Sequence, residues 1–240
     1  MGYLPIFIDV SGRTCVVVGG GEVAERKTRS LIEAGAIVIL ISPQVTAALS
    51  AMVQSETIRH LARTYRRDDL AGAWLAFEAT GDDVIARAVA TEAAERGVPV
   101  NVADVPELCS FIAPAVVQRG GLQIAISTGG ASPAFAGKIR HELESAFGHE
   151  YELMIDLLAH TRKWLRTHQP DGAMRARALG ALVHSDLLEY LKHGDFAAAD
   201  AIIKRTIGAG LAEIGFAIAP VVVAGNHDSA TSNGTPNQSR

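Results

Sequence analysis

Over the first hundred residues, short β-branched apolar runs alternate with stretches whose apolar positions recur every three or four residues, a rhythm of strands and helices in turn. Thr14–Val18 reads T-C-V-V-V and runs straight into Gly19-Gly20-Gly21, as a buried strand entering a turn does. From Glu22 to Ala34 the positions Val23, Ala24, Lys27, Leu31 and Ala34 keep helical spacing, and Gly35 supplies the stop. Ala36–Ile41 is a second β-branched run, closed by Ser42-Pro43. The unit is therefore βαβ, about thirty residues in all, and its crossover length implies parallel strands. Runs at Ala73–Ala79 and Val98–Val102 flank a predicted helix over Asp83–Arg96, with Ile85, Val89 and Ala93 on its apolar face. The expected fold class is α/β, a Rossmann-type parallel sheet.

After about Asp104 the rhythm changes. Phe111–Gln118 and Leu122–Ser127 read as two strands around Arg119-Gly120-Gly121, a hairpin-like pair outside the first sheet. Pro133, preceded by the capping residue Ser132, opens a helix through Phe135, Ile139, Leu143 and Phe147. The segments Glu150–His168, Gly172–His193 and Asp195–Glu213 predict three more helices, so the chain ends in an all-helical part. Gly225–Arg240 has no aromatic or branched aliphatic residue and is expected to be a disordered tail.

An apolar content of 48% over 240 residues can bury a real core, which excludes disorder of the whole chain. With 22 Lys+Arg against 26 Asp+Glu there is no basic field for nucleic acid, and an anionic ligand must be held by a local patch. Two cysteines, Cys15 and Cys109, make no disulfide framework, so a reducing cytoplasm is expected. Met1–Val10 lacks the basic region and cleavage pattern of an export signal. The run Phe216–Ala224 is broken by Pro220 and falls short of the roughly 18 residues of a membrane span, so no membrane association is expected. The eight histidines show no metal-site spacing, and a structural zinc is not expected.

The candidate chemistry begins at the glycine turn. Gly19 to Ala24 fits G-x-G-x-x-A: Gly19 allows the tight turn, Gly21 lets a pyrophosphate approach the backbone, and Ala24 lets the helix pack on the strand. The acid expected about twenty positions on, to bind the adenosine ribose, is replaced by Ser42-Pro43-Gln44. No arginine stands there for a 2′-phosphate either, and NAD is favoured over NADP. The expected dinucleotide contacts are Gly19, Gly21, Glu22, Val23, Ser42, Pro43, Gln44 and Thr80.

A set of further motifs resembles one family. Leu4-Pro5-Ile6-Phe7 and Val18-Gly19-Gly20-Gly21-Glu22-Val23-Ala24-Glu25-Arg26-Lys27 look like the start of the siroheme synthase family. Ala79-Thr80-Gly81-Asp82-Asp83 resembles its A-T-D-D segment, and Asn101-Val102-Ala103-Asp104 its N-V-x-D. Ser110-Phe111-Ile112-Ala113-Pro114-Ala115 and Ser127-Thr128-Gly129-Gly130-Ala131-Ser132-Pro133 resemble its S-F-x-x-P and S-x-G-G-x-S-P blocks. The resemblance implies an NAD-dependent precorrin-2 dehydrogenase giving sirohydrochlorin, and in bifunctional members a ferrochelatase for which Fe²⁺ is a substrate. It further implies a homodimer, with an NAD-binding domain at 1–112, a dimerisation segment at 113–148, and a helical domain at 149–224 followed by the tail at 225–240. A methyltransferase domain, present in some members, is not expected in a chain of this length.

Asp104 follows a strand at the carboxyl end of the sheet, where ligand crevices of open α/β folds lie. A lone carboxylate there more often caps a turn; the match to N-V-x-D makes Asp104 the expected base for both steps and a transient iron ligand. Ser127, Thr128, Gly129 and Gly130 precede a helix N-terminus and are the expected contacts for the carboxylates of the tetrapyrrole, with Arg119, Lys138 and Arg140 as nearby cations. Some family members have a phosphorylatable serine where Thr128 keeps the hydroxyl. Two other readings stay open: an NAD-responsive binding module, and a chelatase for another metal such as cobalt.

Overall fold

A computed structural model describes residues 2–217. The expected tail, the end of the expected helical domain and most of the Phe216–Ala224 run lie outside the described residues. Two compact units are present: the chain up to Val117 with Gln123–Ala146, and Gln118–Leu122 with the chain from Phe147 on.

The first unit is built on β1 (Thr14–Val18), α1 (Glu22–Glu33), β2 (Ile37–Ile41), α2 (Ala47–Gln54), β3 (Arg59–Leu61), β4 (Leu75–Glu78), α3 (Asp83–Arg96) and β5 (Val100–Val102). The strands form one parallel sheet in the order β3-β2-β1-β4-β5. The chain reverses direction across the sheet between β1 and β4, which opens a crevice at their carboxyl ends. β1 is central because it is apolar on both faces. Cys15 and Val17 pack with Leu40, Leu49 and Phe77 on one side, and Val16 and Val18 with Ile41, Ala76 and Val89 on the other. Leu4-Pro5-Ile6-Phe7 precedes the sheet without regular structure and is exposed.

β6 (Ala115–Arg119) and β7 (Leu122–Ile126) form a separate two-stranded sheet joined through Gly120-Gly121, as the pattern predicts. Its first strand begins four residues later than expected, since Phe111 is drawn into an edge-to-face contact with Phe77. α4 (Pro133–Ala146) starts at Pro133, and the Ser132 hydroxyl accepts the Phe135 amide at 3.2 Å.

The second unit holds α5 (His149–His168), α6 (Gly172–Val183), α7 (Leu187–Lys192) and α8 (Phe196–Ile207) around Leu157, Leu182, Leu187, Leu191 and Ile203. The sequence predicts one helix over Gly172–His193; the structure breaks it in two. The Ser185 hydroxyl donates to the Leu182 carbonyl and accepts the Leu187 amide, a local pairing that competes with the helix. α8 stops at Gly208, in left-handed conformation at φ 79°, rather than running on to Glu213.

Behind the sheet, Glu92 of α3 is a buried carboxylate that fastens the β3–β4 connection. It accepts from the Tyr65 hydroxyl, the amides of Asp68 (2.9 Å) and Leu70 (3.2 Å), and Arg96 Nε (2.7 Å). Burial pushes its carboxyl up, but these hydrogen bonds outweigh the burial and hold it below the ordinary carboxylate range. Its stabilising contribution is therefore complete above the unfolded-chain value near pH 4.3 and drains away as pH falls through the lower folded value. Glu92→Ala should cost about 3 kcal/mol at neutral pH by leaving these donors unpaired, with the difference from the unsubstituted chain narrowing below pH 4 in urea unfolding.

Candidate functional site

The glycine turn is held by backbone bonds from Gly19 N to the Ile41 carbonyl (2.9 Å) and from Thr46 N to the Gly20 carbonyl (3.0 Å). Gly19 sits at φ 121°, and a Cβ there would stand 2.5 Å from the Ala79 carbonyl oxygen. Gly20 is tighter still: a Cβ would lie 1.9 Å from the Gln44 carbonyl oxygen and 2.6 Å from Ser42 Oγ. A Cβ on Gly21 would meet no atom within 4 Å. Gly21 is the N-cap of α1 and brings no capping side chain, so the first-turn amides are directed at open space, as an approaching phosphate requires.

This turn forms one wall of a cleft of about 590 Å³ at the carboxyl ends of β1, β2 and β4. Gly19, Gly21, Ser42, Pro43, Gln44 and Thr80 all line it, so six of the eight expected dinucleotide contacts come together. Glu22 is exposed and lines neither this cleft nor the cavity described next, and Val23 faces that cavity instead. No Lys or Arg is among the residues lining the cleft. The Ser42 hydroxyl donates to the Gln44 carbonyl at 2.6 Å, and His60 Nε2 lies 2.9 Å from the Ser42 carbonyl. Opposite, the buried Glu78 carboxylate accepts both the amide (2.7 Å) and the hydroxyl (2.5 Å) of Thr80. The Thr80 hydroxyl accepts the Asp82 amide, and Asp82 caps α3 through the amides of Val84 and Ile85. The Ala79–Asp83 motif is thus a relay of caps that fixes the far lip of the cleft.

A second cavity of about 410 Å³ in the same unit brings together Asp104 with Ser127, Thr128, Gly129 and Gly130. Asp104 is exposed to it and holds a left-handed backbone at φ 60°, a strained conformation that only a few residue types tolerate. Its carboxylate has no hydrogen-bond or ion-pair partner among the described residues, so it is not occupied in capping a turn. The Thr128 hydroxyl is bound into its loop: it donates to the Ser132 carbonyl and accepts the Ser132 amide, each at 3.1 Å. Ser127 Oγ accepts the Gly129 amide at 3.1 Å.

The cations expected beside the Ser127–Pro133 block are placed elsewhere. Lys138 and Arg140 form ion pairs with Glu142 and Glu144 one turn along α4, and Arg119 Nε donates to the Phe147 carbonyl in the other unit. The cavity's positive charge comes from Arg26 and Lys27 of α1. Lys27 keeps helical spacing with Val23 and Leu31, and a lysine on the inward stripe of an amphipathic helix is the sequence signal that marks it. Asn101 also lines the cavity, and its side-chain amide donates to the Phe111 carbonyl at 3.0 Å. Among the described residues no three His, Cys, Asp or Glu side chains converge on a metal position. No helix among them is long and apolar enough to cross a membrane.

Strand order, glycine turn and cleft place the first unit in the class of proteins built on the dinucleotide-binding Rossmann fold. Residues 6–115 match the family described as "Putative NAD(P)-binding", and residues 119–146 match "Sirohaem biosynthesis protein central". A siroheme synthase of Pseudomonas aeruginosa is 36% identical over 228 residues, covering 95% of this chain and 49% of that protein. One from Nitrosomonas europaea is 41% identical over 167 residues, covering 69% of this chain and 35% of that protein. The structure of SirC, a precorrin-2 dehydrogenase, superposes with a TM-score of 0.70 at 24% identity, covering 84% of this chain and all of that one, and shows a shared fold. The chain is similar to siroheme synthases over part of their length, and it spans less than half the length of these curated relatives.

The two inner glycines of the turn separate architecture from binding. Gly21→Ala should fold with an unchanged melting temperature yet bind a dinucleotide about tenfold or more weakly, since its methyl blocks only the phosphate's approach. Gly20→Ala should lower the melting temperature, with a cost of about 3 kcal/mol, because its methyl collides with backbone. Thermal unfolding with and without NAD reads both effects.

Proposed function

We propose that the chain oxidises precorrin-2 to sirohydrochlorin with NAD as hydride acceptor, and that it also inserts ferrous iron into the product. The observation that carries this reading is the unpaired Asp104 carboxylate in a cavity lined by helix α1, whose N-cap Gly21 lines the dinucleotide cleft. The likeness to siroheme synthases supports the substrate class, and the absence of cations from the cleft lining supports NAD over NADP.

The oxidation removes a hydride and a proton from the macrocycle. NAD, when bound, supplies the two-electron acceptor. The glycine turn and the first-turn amides of α1 would hold its phosphates, with Ser42, Pro43, Gln44 and Thr80 lining its cleft. Asp104 is the base that takes the proton, and its exposed carboxylate can pass that proton to water. Iron insertion displaces two pyrrole protons, and the same carboxylate serves as acceptor while Fe²⁺, a substrate here, passes through it. Ser127, Thr128, Gly129 and Gly130 bound the substrate at the far end of the cavity.

We assign dimerisation to segment 113–148. A two-stranded ribbon is marginal by itself, and β6–β7 leaves Val116 exposed while α4 leaves Phe135 exposed, which supports completion by a second copy. A reducing cytoplasm fits the two free thiols, of which Cys15 is pushed up to about 11 by burial.

Purified protein supplied anaerobically with precorrin-2 and NAD should form NADH and sirohydrochlorin in equal amounts, and then siroheme above the spontaneous rate on addition of Fe²⁺. No NADH would overturn the dehydrogenase assignment and favour a module that only binds NAD; NADH without faster metal insertion would overturn the chelatase assignment. Asp104→Asn keeps a residue that tolerates the left-handed backbone, so it tests the charge alone: kcat should fall by about 100-fold or more while NAD affinity holds.

A further inference from the structure

Lys27 is a cation of the cavity with no ion-pair partner among the described residues. It stands on the inward face of α1, one turn beyond Val23, and both residues line the cavity with Asp104. Its Nζ lies 5.2 Å from the centre of the Phe77 ring, which gives the ammonium a π face on one side. Among the described residues no carboxylate lies within ion-pair distance of it, although Lys138, Lys204 and five arginines of the chain have such partners. Burial pushes the ammonium below the ordinary lysine range and the neighbouring Arg26 adds to this, while Cys109 opposes it weakly. Half-buried, uncompensated and turned to a cavity, this charge costs free energy until an anion arrives.

We infer that Lys27 anchors a carboxylate of the substrate, and so fixes which way the macrocycle enters the cavity relative to Asp104. The inference rests on the proposed reaction for the identity of that substrate, a tetrapyrrole ringed with carboxylates. Three features converge on this role: the cation with no ion-pair partner among the described residues, the Phe77 face behind it, and the placement of Arg26 one residue earlier as a second cation lining the same cavity. A carboxylate seated on Lys27 Nζ would be bound by a charge-assisted hydrogen bond in a partly desolvated site, the setting in which such bonds are strongest. Lys27 is thus a positioning residue, and the proton transfer stays with Asp104.

The test uses the full chain and two readouts. One is binding of an octacarboxylate porphyrin, followed by fluorescence; the other is steady-state oxidation of precorrin-2. Lys27→Met keeps the length and apolar stem that pack on Phe77 while removing the charge. It should weaken porphyrin binding and raise KM by about tenfold, with kcat changed less and NAD affinity unchanged. Lys27→Arg should restore most of the affinity, and the salt dependence of binding should be shallower in Lys27→Met than in the unsubstituted protein.

Unchanged porphyrin binding in Lys27→Met would overturn the inference. So would a loss that Lys27→Arg does not rescue, or one accompanied by weaker NAD binding, since either would mark a packing role. If the unsubstituted protein binds the porphyrin through Lys27 but yields no NADH from precorrin-2, the carboxylate site stands and the proposed reaction falls.

Discussion

The arrangement of the first unit depends on how closely the backbone at Gly20 can approach the carbonyl of Gln44. That approach lets the Thr46 amide bond the Gly20 carbonyl and the Gly19 amide bond the Ile41 carbonyl, so the turn after β1 is laced to the end of β2. With the turn fixed, α1 leaves the sheet at one angle only. Its first amides face the cleft, while Val23, Arg26 and Lys27 are delivered to the cavity. A side chain at position 20 would push the two loops apart and spoil both sites together, so one steric limit sets the geometry of two binding regions.

The sheet is legible in the sequence for a physical reason. A parallel sheet buried on both faces needs unbroken apolar strands, and T-C-V-V-V and I-V-I-L-I meet that need with nothing else in the neighbourhood that could. β3 is three residues, Arg59-His60-Leu61, at the edge of the sheet, and an edge that short carries no pattern. The long helix expected over Gly172–His193 keeps its apolar spacing across Ser185, but spacing alone is blind to a hydroxyl that satisfies the local backbone better than the next helical turn does.

The candidate site is legible to a different degree on its two sides. Glycines are read easily because their absence of a side chain is itself the signal, and the turn, Thr80 and Asp104 fall where motif order puts them. The role of Gly20 escapes the G-x-G-x-x-A pattern, which treats its position as free; only the packing against Gln44 makes it obligatory. The cations of the cavity escape for the opposite reason. Charge near a motif in sequence points to Lys138 and Arg140, but those side chains find glutamates one turn away on their own helix. Arg26 and Lys27 lie about a hundred residues from the Ser127–Pro133 block and reach the same cavity through the topology of the sheet.

The left-handed backbone of Asp104 restricts the history this position can have. Aspartate is favoured over longer side chains there, and asparagine and glycine, both uncharged, share its tolerance. Glutamate, the ordinary conservative replacement for an acid, is less favoured in that backbone, although Glu56 of this chain adopts it at φ 55°. The charge can therefore be lost in a single step at little backbone cost, and lineages that dispense with it should show Asn or Gly in its place while keeping the surrounding turn.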